Sequence, residues 1–228
     1  MAPTNRRIKP NDDPCPFGPE YQWYWDIRYA LFSKFDEAKV DASGLYTMVP
    51  EGLAVEMAKR ASGSNILDIC SGVGSMSIAF ARCKKHVTAI EIDENKVAMA
   101  RHNAELYGVS ELIDTRVGDI TSRTTLEELP ANIDTLWIDP PWGTRVGEYA
   151  TRPVIHVEDL QLSGRDLRSL VSDINCREVM FRLPMNFHRP SIEAISGEKI
   201  QFFTRNGDCL WYFVRTTRQQ FIDFPSRQ

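Results

Sequence analysis

Apolar runs of strand length alternate with helical segments from Asn65 onward, and this alternation constrains the fold more than any other feature of the sequence. Strand, helix and strand in succession form a βαβ unit, and repeated units stack into a doubly wound, mostly parallel sheet. The runs predicted as strands are Asn65 to Cys70, Val87 to Ile92, Ile113 to Val117, Ile133 to Ile138, Val179 to Leu183, Ile200 to Thr204 and Leu210 to Arg215. The predicted helices are Pro50 to Arg60, Ser75 to Cys83, Glu94 to Tyr107 and Gly164 to Ile174. The prediction is an α/β protein with a seven-stranded, mostly parallel sheet.

Two shorter regions precede the sheet. Residues 1–20 are rich in proline and lack hydrophobic periodicity, which predicts a flexible N-terminal arm. Residues 21–62 begin with an unusually aromatic run and are predicted to form a short helical N-terminal extension. The sheet-forming domain is predicted over residues 63–228.

Composition excludes several classes of protein. The net charge of -4 and the pI near 5.6 are unfavourable for gripping long nucleic acid, so an RNA substrate would be held by a short piece only. No apolar run approaches the ~20 residues of a membrane span, and residues 1–21 lack the apolar segment of a secretory signal. The five cysteines are scattered without CxxC spacing, which argues against a disulfide framework and a zinc site. We expect an intracellular protein with no metal and no membrane contact.

A glycine-containing loop follows the first predicted strand. Gly72 and Gly74 can bring bare backbone close to a ligand at the first strand-to-helix crossover, just after Asp68. Glu91 ends the next strand, where a carboxylate can accept both hydroxyls of a ribose, and Asp119 follows the third strand, where it can meet an adenine amino group.

This acidic set predicts the cofactor. Acidic residues after three successive strands, with no basic residue for a pyrophosphate, suit a cofactor that carries a positive sulfonium and no phosphate. S-adenosylmethionine is therefore predicted, with Asp68 near its methionine end. The alternative interpretation is that Asp68, Glu91 and Asp119 are helix caps or loop charges.

The fourth predicted strand runs into the sequence Asp139-Pro140-Pro141-Trp142. Two prolines remove two N–H donors and leave carbonyls as the main polar groups of the backbone. The Asp139 carboxylate and the Pro140 carbonyl can then accept the two protons of an amino group, and Trp142 offers a flat face on which a base can stack. Arg145 flanks this candidate site. The alternative is a rigid turn with a core tryptophan and a solvated arginine.

These residues together resemble one family, the trimethylguanosine synthases, which convert the 7-methylguanosine cap of small nuclear and nucleolar RNAs to 2,2,7-trimethylguanosine. The resemblance is strongest between about Trp25 and Trp142. The matching segments are Tyr24-Trp25, Arg28-Tyr29, Leu31-Phe32-Ser33-Lys34-Phe35-Asp36, Pro50-Glu51, Asp68, Gly72-Val73-Gly74, Ala89-Ile90-Glu91-Ile92-Asp93, Ala100-Arg101, Asn103-Ala104-Glu105, Tyr107-Gly108, Gly118-Asp119, Pro140-Pro141-Trp142-Gly143, Tyr149-Ala150-Thr151 and Leu183-Pro184. The Leu31 to Asp36 segment is the most specific of these.

The resemblance implies a Rossmann-like class I methyltransferase domain over residues 63–228, with S-adenosylmethionine as cofactor. Its expected reaction methylates the exocyclic N2 of 7-methylguanosine in RNA caps, giving 2,7-dimethyl- or 2,2,7-trimethylguanosine. It also implies that Trp142 stacks on the methylated guanine, that Phe32 closes the cofactor and base pocket, and that Asn186 borders the cap. We expect a monomer that binds capped RNA by its cap end only, takes part in RNA processing, and is nuclear or cytoplasmic.

Three departures from the family pattern keep other functions open. The family usually has Ser at the position of Asp139, Thr at that of Val49, and often a basic residue at that of Trp23. The alternative enzyme is a guanine-N2 or adenine-N6 methyltransferase acting on ribosomal or transfer RNA, which suits Asp-Pro-Pro-Trp equally well. A third possibility is a non-catalytic cap-binding module, against which the intact acidic set of Asp68, Glu91 and Asp119 argues.

Overall fold

Nine strands occur in the computed structural model, which describes residues 13–141, 151–203 and 209–224. Their bounds are β1 (Asn65–Ile69), β2 (His86–Glu91), β3 (Ile113–Val117), β4 (Ile133–Ile138), β5 (Gln161–Leu162), β6 (Arg165–Asp166), β7 (Cys176–Pro184), β8 (Glu198–Phe203) and β9 (Cys209–Thr217). Seven form one sheet in the order β3-β2-β1-β4-β7-β9-β8, and β5 and β6 form a separate hairpin. Strands β3, β2, β1, β4 and β7 are parallel, whereas β9 is antiparallel to β7 and β8. The predicted seven-stranded, mostly parallel sheet is confirmed.

The helices connect the parallel strands and cover the sheet. Those described are α1 (Gln22–Asp26), α2 (Arg28–Leu31), α3 (Ala42–Thr47), α4 (Glu51–Arg60), α5 (Ser75–Arg82), α6 (Glu94–Leu106), α7 (Arg123–Glu127), α8 (Leu167–Asp173), α9 (Arg189–Ala194) and α10 (Arg218–Ile222). Short 3-10 helices occur at Pro19–Tyr21, Ser110–Leu112 and Val157–Asp159. None of the helices in the described part of the chain is long and apolar enough to cross a membrane.

Each face of the sheet packs its own core because successive side chains of a strand point to opposite faces. Leu67, Leu136 and Phe181 lie in the core that also contains residues of α8 and α10. On the other face, Trp137 and Met180 pack among residues of α4 and α5. Phe80 and Phe213 contact the Trp137 ring at centroid distances of 6.1 Å each.

The N-terminal extension adds a third cluster, in which aromatic residues from α1 and from the loop after α2, together with Leu31 of α2, pack against α5 and α6. The contacts of the extension begin at Asp13, which is the first residue that the structure describes. Cys15 is buried, and its backbone N–H donates to the Gln22 Oε1 atom at 2.9 Å. The boundary between the arm and the extension stays a prediction, and residues 1–12 lie outside the described part of the chain.

The structure corrects several element boundaries. The helix predicted at Gly164 to Ile174 starts only at Leu167, because Ser163 (φ 46°) and Gly164 (φ 79°) form the left-handed turn of the β5–β6 hairpin. Asp166 then caps the helix by accepting from the N–H groups of Arg168 and Ser169. Strand β1 ends at Ile69 rather than at Cys70, which has a φ of 61°.

The hairpin and three further helices, α7, α9 and α10, were not predicted. Each has fewer than seven residues and is too short to show a clear period in the sequence. Thr204, the predicted end of the sixth main strand, lies outside the described residues.

Candidate active site

The carboxyl ends of four parallel strands meet at one edge of the sheet and bring the predicted site residues together. The register pairs Ile69 of β1 with Ile90 of β2 and Ile138 of β4, and Ile138 with Phe181 of β7. The residues that follow at this edge are therefore neighbours. In a parallel sheet of this type, the crevice beyond the carboxyl ends is where ligands bind.

The loop after β1 has an unusual backbone. Cys70, Gly72 and Gly74 all have positive φ values, of 61°, 55° and 90°. A Cβ on Gly72 would meet nothing within 4 Å, whereas a Cβ on Gly74 would lie 3.2 Å from the Ala100 Cβ atom. Gly72 thus leaves open space beside the backbone, and Gly74 allows α5 and α6 to approach closely. The strained Cys70 was not singled out by the sequence analysis, because left-handed backbone is rare for a residue with a side chain.

Asp68 is fully buried under this loop. The Ser77 hydroxyl donates to its Oδ2 atom at 2.5 Å. Burial raises the pKa of the Asp68 carboxyl to about 7, and the negative charges of Asp139 and Glu91 act in the same direction, against the hydrogen bonds from Ser77. A cation next to this carboxyl would offset the cost of burying its negative charge, because it favours the ionised form.

Glu91 closes the same loop from β2. Its Oε2 atom accepts the Gly72 N–H at 2.8 Å, and its Oε1 atom accepts the Asp93 N–H at 3.1 Å. Each carboxylate oxygen offers two lone pairs, so each retains capacity for a further donor. Glu91 is therefore fixed in orientation and still able to accept from a pair of hydroxyls.

Asp119 lies at the end of the following strand and is less buried. Its Oδ1 atom accepts from the Thr121 N–H and hydroxyl at 2.8 and 2.7 Å. Although partial burial acts to raise it, the pKa of Asp119 is held below its usual value by hydrogen bonds from Thr121 and Ser163. The β5–β6 hairpin, to which Ser163 belongs, thus contacts the edge of the candidate cofactor site.

Asp139 follows β4, and the sequence analysis missed its partner, Arg182. The Arg182 Nε atom donates to Oδ1 at 3.0 Å, and its Nη2 atom lies 2.9 Å from Oδ2. Burial raises the pKa of Asp139, and Arg182 opposes that shift. Among the described residues, Arg182 provides the hydrogen bonds to this carboxylate, which leaves lone pairs on both oxygens. The sequence signal that could have identified this partner was an arginine among the apolar residues of β7.

The remaining predicted site residues are placed as follows. Pro140 lines a small apolar cavity beneath the site together with Ile138 and Phe187. Phe32 is 2% exposed, and its ring centroid lies 5.4 Å from that of Tyr107. Asn186 donates from Nδ2 to the Arg152 carbonyl at 2.7 Å. The roles of all three stay predictions.

Trp142 and Arg145 lie outside the described residues, so their roles also remain predictions. In the ranges 13–141, 151–203 and 209–224, no group of three His, Cys, Asp or Glu side chains has the geometry of a metal site.

The segment that carries the most specific family resemblance lies in a polar junction between the extension and the sheet domain. Glu51 Oε2 accepts the Ser33 N–H at 2.7 Å and the Tyr107 hydroxyl at 2.8 Å, and Arg82 donates to its Oε1 atom at 2.5 Å. Lys34 donates to the Leu106 carbonyl at 2.8 Å. Three of the matching sequence segments thus meet in one contact that docks the extension.

The residues at the edge fit S-adenosylmethionine. Asp68 is fully buried and Asp139 is largely buried, so both carboxylates gain from a nearby positive charge, and Glu91 presents two oriented oxygens. Open space beside Gly72 allows close approach of a ligand to the backbone. This set of carboxylates suits a sulfonium, an ammonium and ribose hydroxyls. It does not suit a phosphate, which requires basic groups.

Fold and site together define a Rossmann-like class I methyltransferase, an enzyme whose cofactor is S-adenosylmethionine. The chain belongs to the RNA cap guanine-N2 methyltransferase family, whose model matches residues 63–206. The solved structure of a proposed methyltransferase from Porphyromonas gingivalis W83 covers 90% of this chain with a TM-score of 0.64. That structure is 19% identical, and this chain covers 51% of it, so the likeness supports the fold alone.

The similar proteins of known activity include cap and ribosomal RNA methyltransferases. The trimethylguanosine synthase of Schizosaccharomyces pombe is 36% identical over 155 residues, 64% of this chain and 63% of that protein. The trimethylguanosine synthase of Saccharomyces cerevisiae is 28% identical over 130 residues, 53% of this chain and 41% of that protein. A 23S rRNA (uracil(1939)-C(5))-methyltransferase of Acidithiobacillus ferrooxidans is 32% identical over 117 residues, 50% of this chain and 26% of that protein. The chain spans less than two thirds of the length of each.

Proposed function

We propose that this protein transfers methyl groups from S-adenosylmethionine to the exocyclic N2 of 7-methylguanosine in RNA caps. The products are 2,7-dimethyl- or 2,2,7-trimethylguanosine. The observation that carries the proposal is the Asp139 carboxylate at the strand edge, whose side chain is 15% exposed. It is held from one side by Arg182 and, as far as the described residues go, is left with acceptor capacity. Such a group suits an amino group that must present both of its protons.

The chemistry requires the amino group to be oriented. The lone pair of a guanine N2 atom is delocalised into the ring, so the nitrogen is a poor nucleophile. S-adenosylmethionine supplies an electrophilic methyl group on a positively charged sulfur. Accepting the two amino protons on Asp139 and on the Pro140 carbonyl turns the lone pair toward that methyl group, and most of the acceleration then comes from proximity and orientation. As the N2–CH3 bond forms, the methyl–sulfur bond breaks with its electron pair left on sulfur, and Asp139 takes up the proton that the nitrogen loses.

Preference for a 7-methylated guanine follows from charge. Methylation at N7 makes the guanine ring cationic, and a cation stacked on an indole face gains about 0.5–2 kcal/mol over a neutral ring. We assign that face to Trp142. Asp139, as a buried carboxylate beside the base, adds Coulomb attraction to the cationic ring.

A label-transfer assay tests the proposal. Wild-type protein is incubated with labelled S-adenosylmethionine and equal concentrations of 7-methyl-GTP, GTP or a short uncapped RNA. We expect turnover of 7-methyl-GTP at least about tenfold above that of GTP, since ~1.4 kcal/mol corresponds to one decade. Mass spectrometry of the product counts the methyl groups added. Equal turnover of the two nucleotides would contradict the cap assignment.

Substitutions at Trp142 separate stacking from cofactor binding. Trp142→Ala should abolish methylation of 7-methyl-GTP and leave the affinity for S-adenosylmethionine nearly unchanged. Trp142→Phe is the matched control, because phenylalanine retains an aromatic face and should retain measurable activity. A Trp142→Ala enzyme with wild-type preference for 7-methyl-GTP would remove this residue from the base site.

A second candidate function is methylation of guanine N2 or adenine N6 in ribosomal or transfer RNA. It is favoured by Asp139 itself, which stands where the trimethylguanosine synthases usually have serine. The net charge of -4 disfavours it, because a long RNA is bound through its phosphates. Turnover of the uncapped RNA alone would select this candidate.

The partner and the compartment follow from the same proposal. The protein is proposed to bind capped RNA through the cap end only, to act as a monomer, and to take part in RNA processing in the nucleus or the cytoplasm. Competition by 7-methyl-GTP for a capped RNA tests the first point. Full competition by the free nucleotide is the expected result.

A further inference from the structure

Strand β7 carries a buried arginine between two apolar core residues. Phe181 and Leu183 lie in the core on one face of the sheet, and Arg182 points to the opposite face with only 6% of its surface exposed. A guanidinium does not lose its charge in a protein, and an unpaired buried charge strongly destabilises the fold. The position of Arg182 therefore depends on the groups that surround it.

Within the described residues, contacts from Asp139, α3 and β9 surround this guanidinium. Its Nε and Nη2 atoms contact the two oxygens of Asp139 at 3.0 and 2.9 Å, and Nη2 also donates to the Thr47 carbonyl at 2.7 Å. The guanidinium carbon lies 5.6 Å from the centroid of the Trp211 ring on β9. A two-point contact between planar groups fixes the plane of the carboxylate as well as its distance.

We propose that Arg182 is the positioning residue of this site, which fixes the Asp139 carboxylate in the orientation needed to accept the amino protons and ties it to the N-terminal extension at Thr47. The inference rests on the proposed function, because Asp139 is taken there as the acceptor. Arg182 acts through Asp139 and has no contact with substrate in this proposal.

The dependence of Asp139 on Arg182 follows from its other contacts. No other hydrogen-bond donor to this carboxylate occurs in the described residues, whereas Asp68 carries a like charge on the same face of the sheet. Without the guanidinium the buried carboxyl would take up a proton more readily or rotate. A protonated carboxyl presents an O–H to the amino group, where an acceptor is required, so the reactive geometry would be lost.

The Thr47 contact makes the extension part of the site. Thr47 is the last residue of α3, where the backbone carbonyls of a helix lack intrahelical partners and carry partial negative charge. It lies 135 residues from Arg182 in the sequence. Docking of the extension therefore adds a backbone acceptor to the guanidinium.

A double-substitution cycle tests the proposal. Arg182→Met is made in the wild-type enzyme and in the Asp139→Ser variant, and kcat, KM and the pH profile of kcat are measured on whichever substrate the wild type methylates. We expect Arg182→Met to lower kcat by about 100-fold with Asp139 present, as a misplaced reactive group does, and to move the acidic limb of the profile to higher pH. In the Asp139→Ser variant the same change should cost less than about threefold, because the interaction it removes is already absent.

Two further variants guard against a trivial loss of folding. Arg182→Lys keeps the charge but loses the two-point contact, so its kcat should fall between those of the wild type and Arg182→Met. Arg215→Met breaks a comparable arginine–carboxylate pair, that of Glu178, and should change kcat less than about threefold at a temperature where all variants are folded. Equal losses from Arg182→Met in both backgrounds would overturn the proposal, since Arg182 would then act independently of Asp139.

A measurement without turnover separates this inference from the proposed function. The titration of Asp139 is followed by carbon NMR of its carboxyl group, assigned by its loss in Asp139→Ser. Arg182→Met should raise the pKa of Asp139, and an unchanged titration would overturn the role of Arg182 even if cap methylation is confirmed. If instead the pKa of Asp139 is raised but the wild-type protein does not methylate 7-methyl-GTP, the positioning role of Arg182 is retained and the proposed substrate is rejected.

Discussion

Strand β7 takes part in two arginine–carboxylate pairs, Glu178 with Arg215 near its start and Arg182 with Asp139 near its end. The two pairs differ in how many hydrogen bonds their carboxylates accept. Glu178 accepts four donors: the Ser62 N–H and hydroxyl, the Thr135 hydroxyl and the Arg215 Nε atom, at 2.6 to 3.0 Å. Asp139 accepts from Arg182 within the described residues. The first pair fills the acceptor capacity of its carboxylate, and the second leaves part of it open.

The pKa values of Glu178 and Asp139 are shifted in opposite directions. For both carboxyls burial is the largest influence and raises the pKa. The hydrogen bonds to Glu178 outweigh this effect, whereas the contacts of Arg182 with Asp139 do not. The pKa of Glu178 is therefore lowered and that of Asp139 is raised. A saturated carboxylate stabilises the fold, whereas an unsaturated buried one is available to a ligand.

The largest expected effect is on catalysis at the carboxyl edge. Asp139→Asn should lower kcat by about 100-fold, because the amide offers one acceptor oxygen and an NH2 that opposes the substrate amino group. The matched change Glu178→Gln at the other end of β7 should alter kcat by less than about threefold. Steady-state kinetics on both variants make the test. Comparable losses of kcat in the two would erase the distinction between the pairs.

The second expected effect is on stability and falls on the other pair. Glu178→Gln should lower the free energy of unfolding by about 2 kcal/mol, less than for a fully buried pair because the Arg215 side chain is 33% exposed. Because the folded-state pKa of Glu178 is lowered, its contribution is present above the unfolded value and is lost as pH falls through the folded one. Urea unfolding at pH 7 and at acidic pH tests this: the difference between wild type and Glu178→Gln should shrink on acidification.

The contribution of Asp68 to stability depends on pH in the opposite direction. Its folded-state pKa of about 7 lies above the usual aspartate value of 3.8, so its contribution to stability falls as pH rises between these values and is constant above them. A cationic cofactor favours the ionised carboxyl, so S-adenosylmethionine affinity should rise up to about tenfold between pH 6 and pH 8. Calorimetry in two buffers of different ionisation enthalpy should detect proton release near pH 7, and Asp68→Asn should abolish that release. Proton uptake on binding would contradict this assignment.

The smallest effect is expected from the hydrogen bond between Ser77 and Asp68. Ser77→Ala removes a donor at 2.5 Å that lowers the pKa of Asp68, so the pH midpoint of cofactor binding should move upward. At pH 7 the affinity should weaken by about 1 kcal/mol. Ser172→Ala, which removes an exposed hydroxyl bonded to the Arg168 carbonyl, is the control and should leave the midpoint unchanged.

Local patterns predicted the sheet and much of the candidate site. The run Ile133 to Ile138 matches β4 residue for residue, as expected for a central parallel strand that is buried on both faces. Ile113 to Val117 also matches β3, which lies at the edge of the sheet and is mostly not buried. Asp68, Gly72, Glu91 and Asp119 were singled out because they lie at or just beyond the ends of successive strands, and the carboxyl ends of parallel strands meet at one edge.

The sequence by itself thus determined the α/β class, the seven main strands, the glycine loop and the acidic residues after the strands, since all of these follow from short-range periodicity and composition. The tertiary structure alone decided the pairing of Asp139 with Arg182, 43 residues away, and the contact of Arg182 with Thr47. It also decided that Ser33, Glu51 and Tyr107 form a docking junction. The physical reason is that strand register and the docking of the extension set these contacts, and both depend on distant parts of the chain folding together.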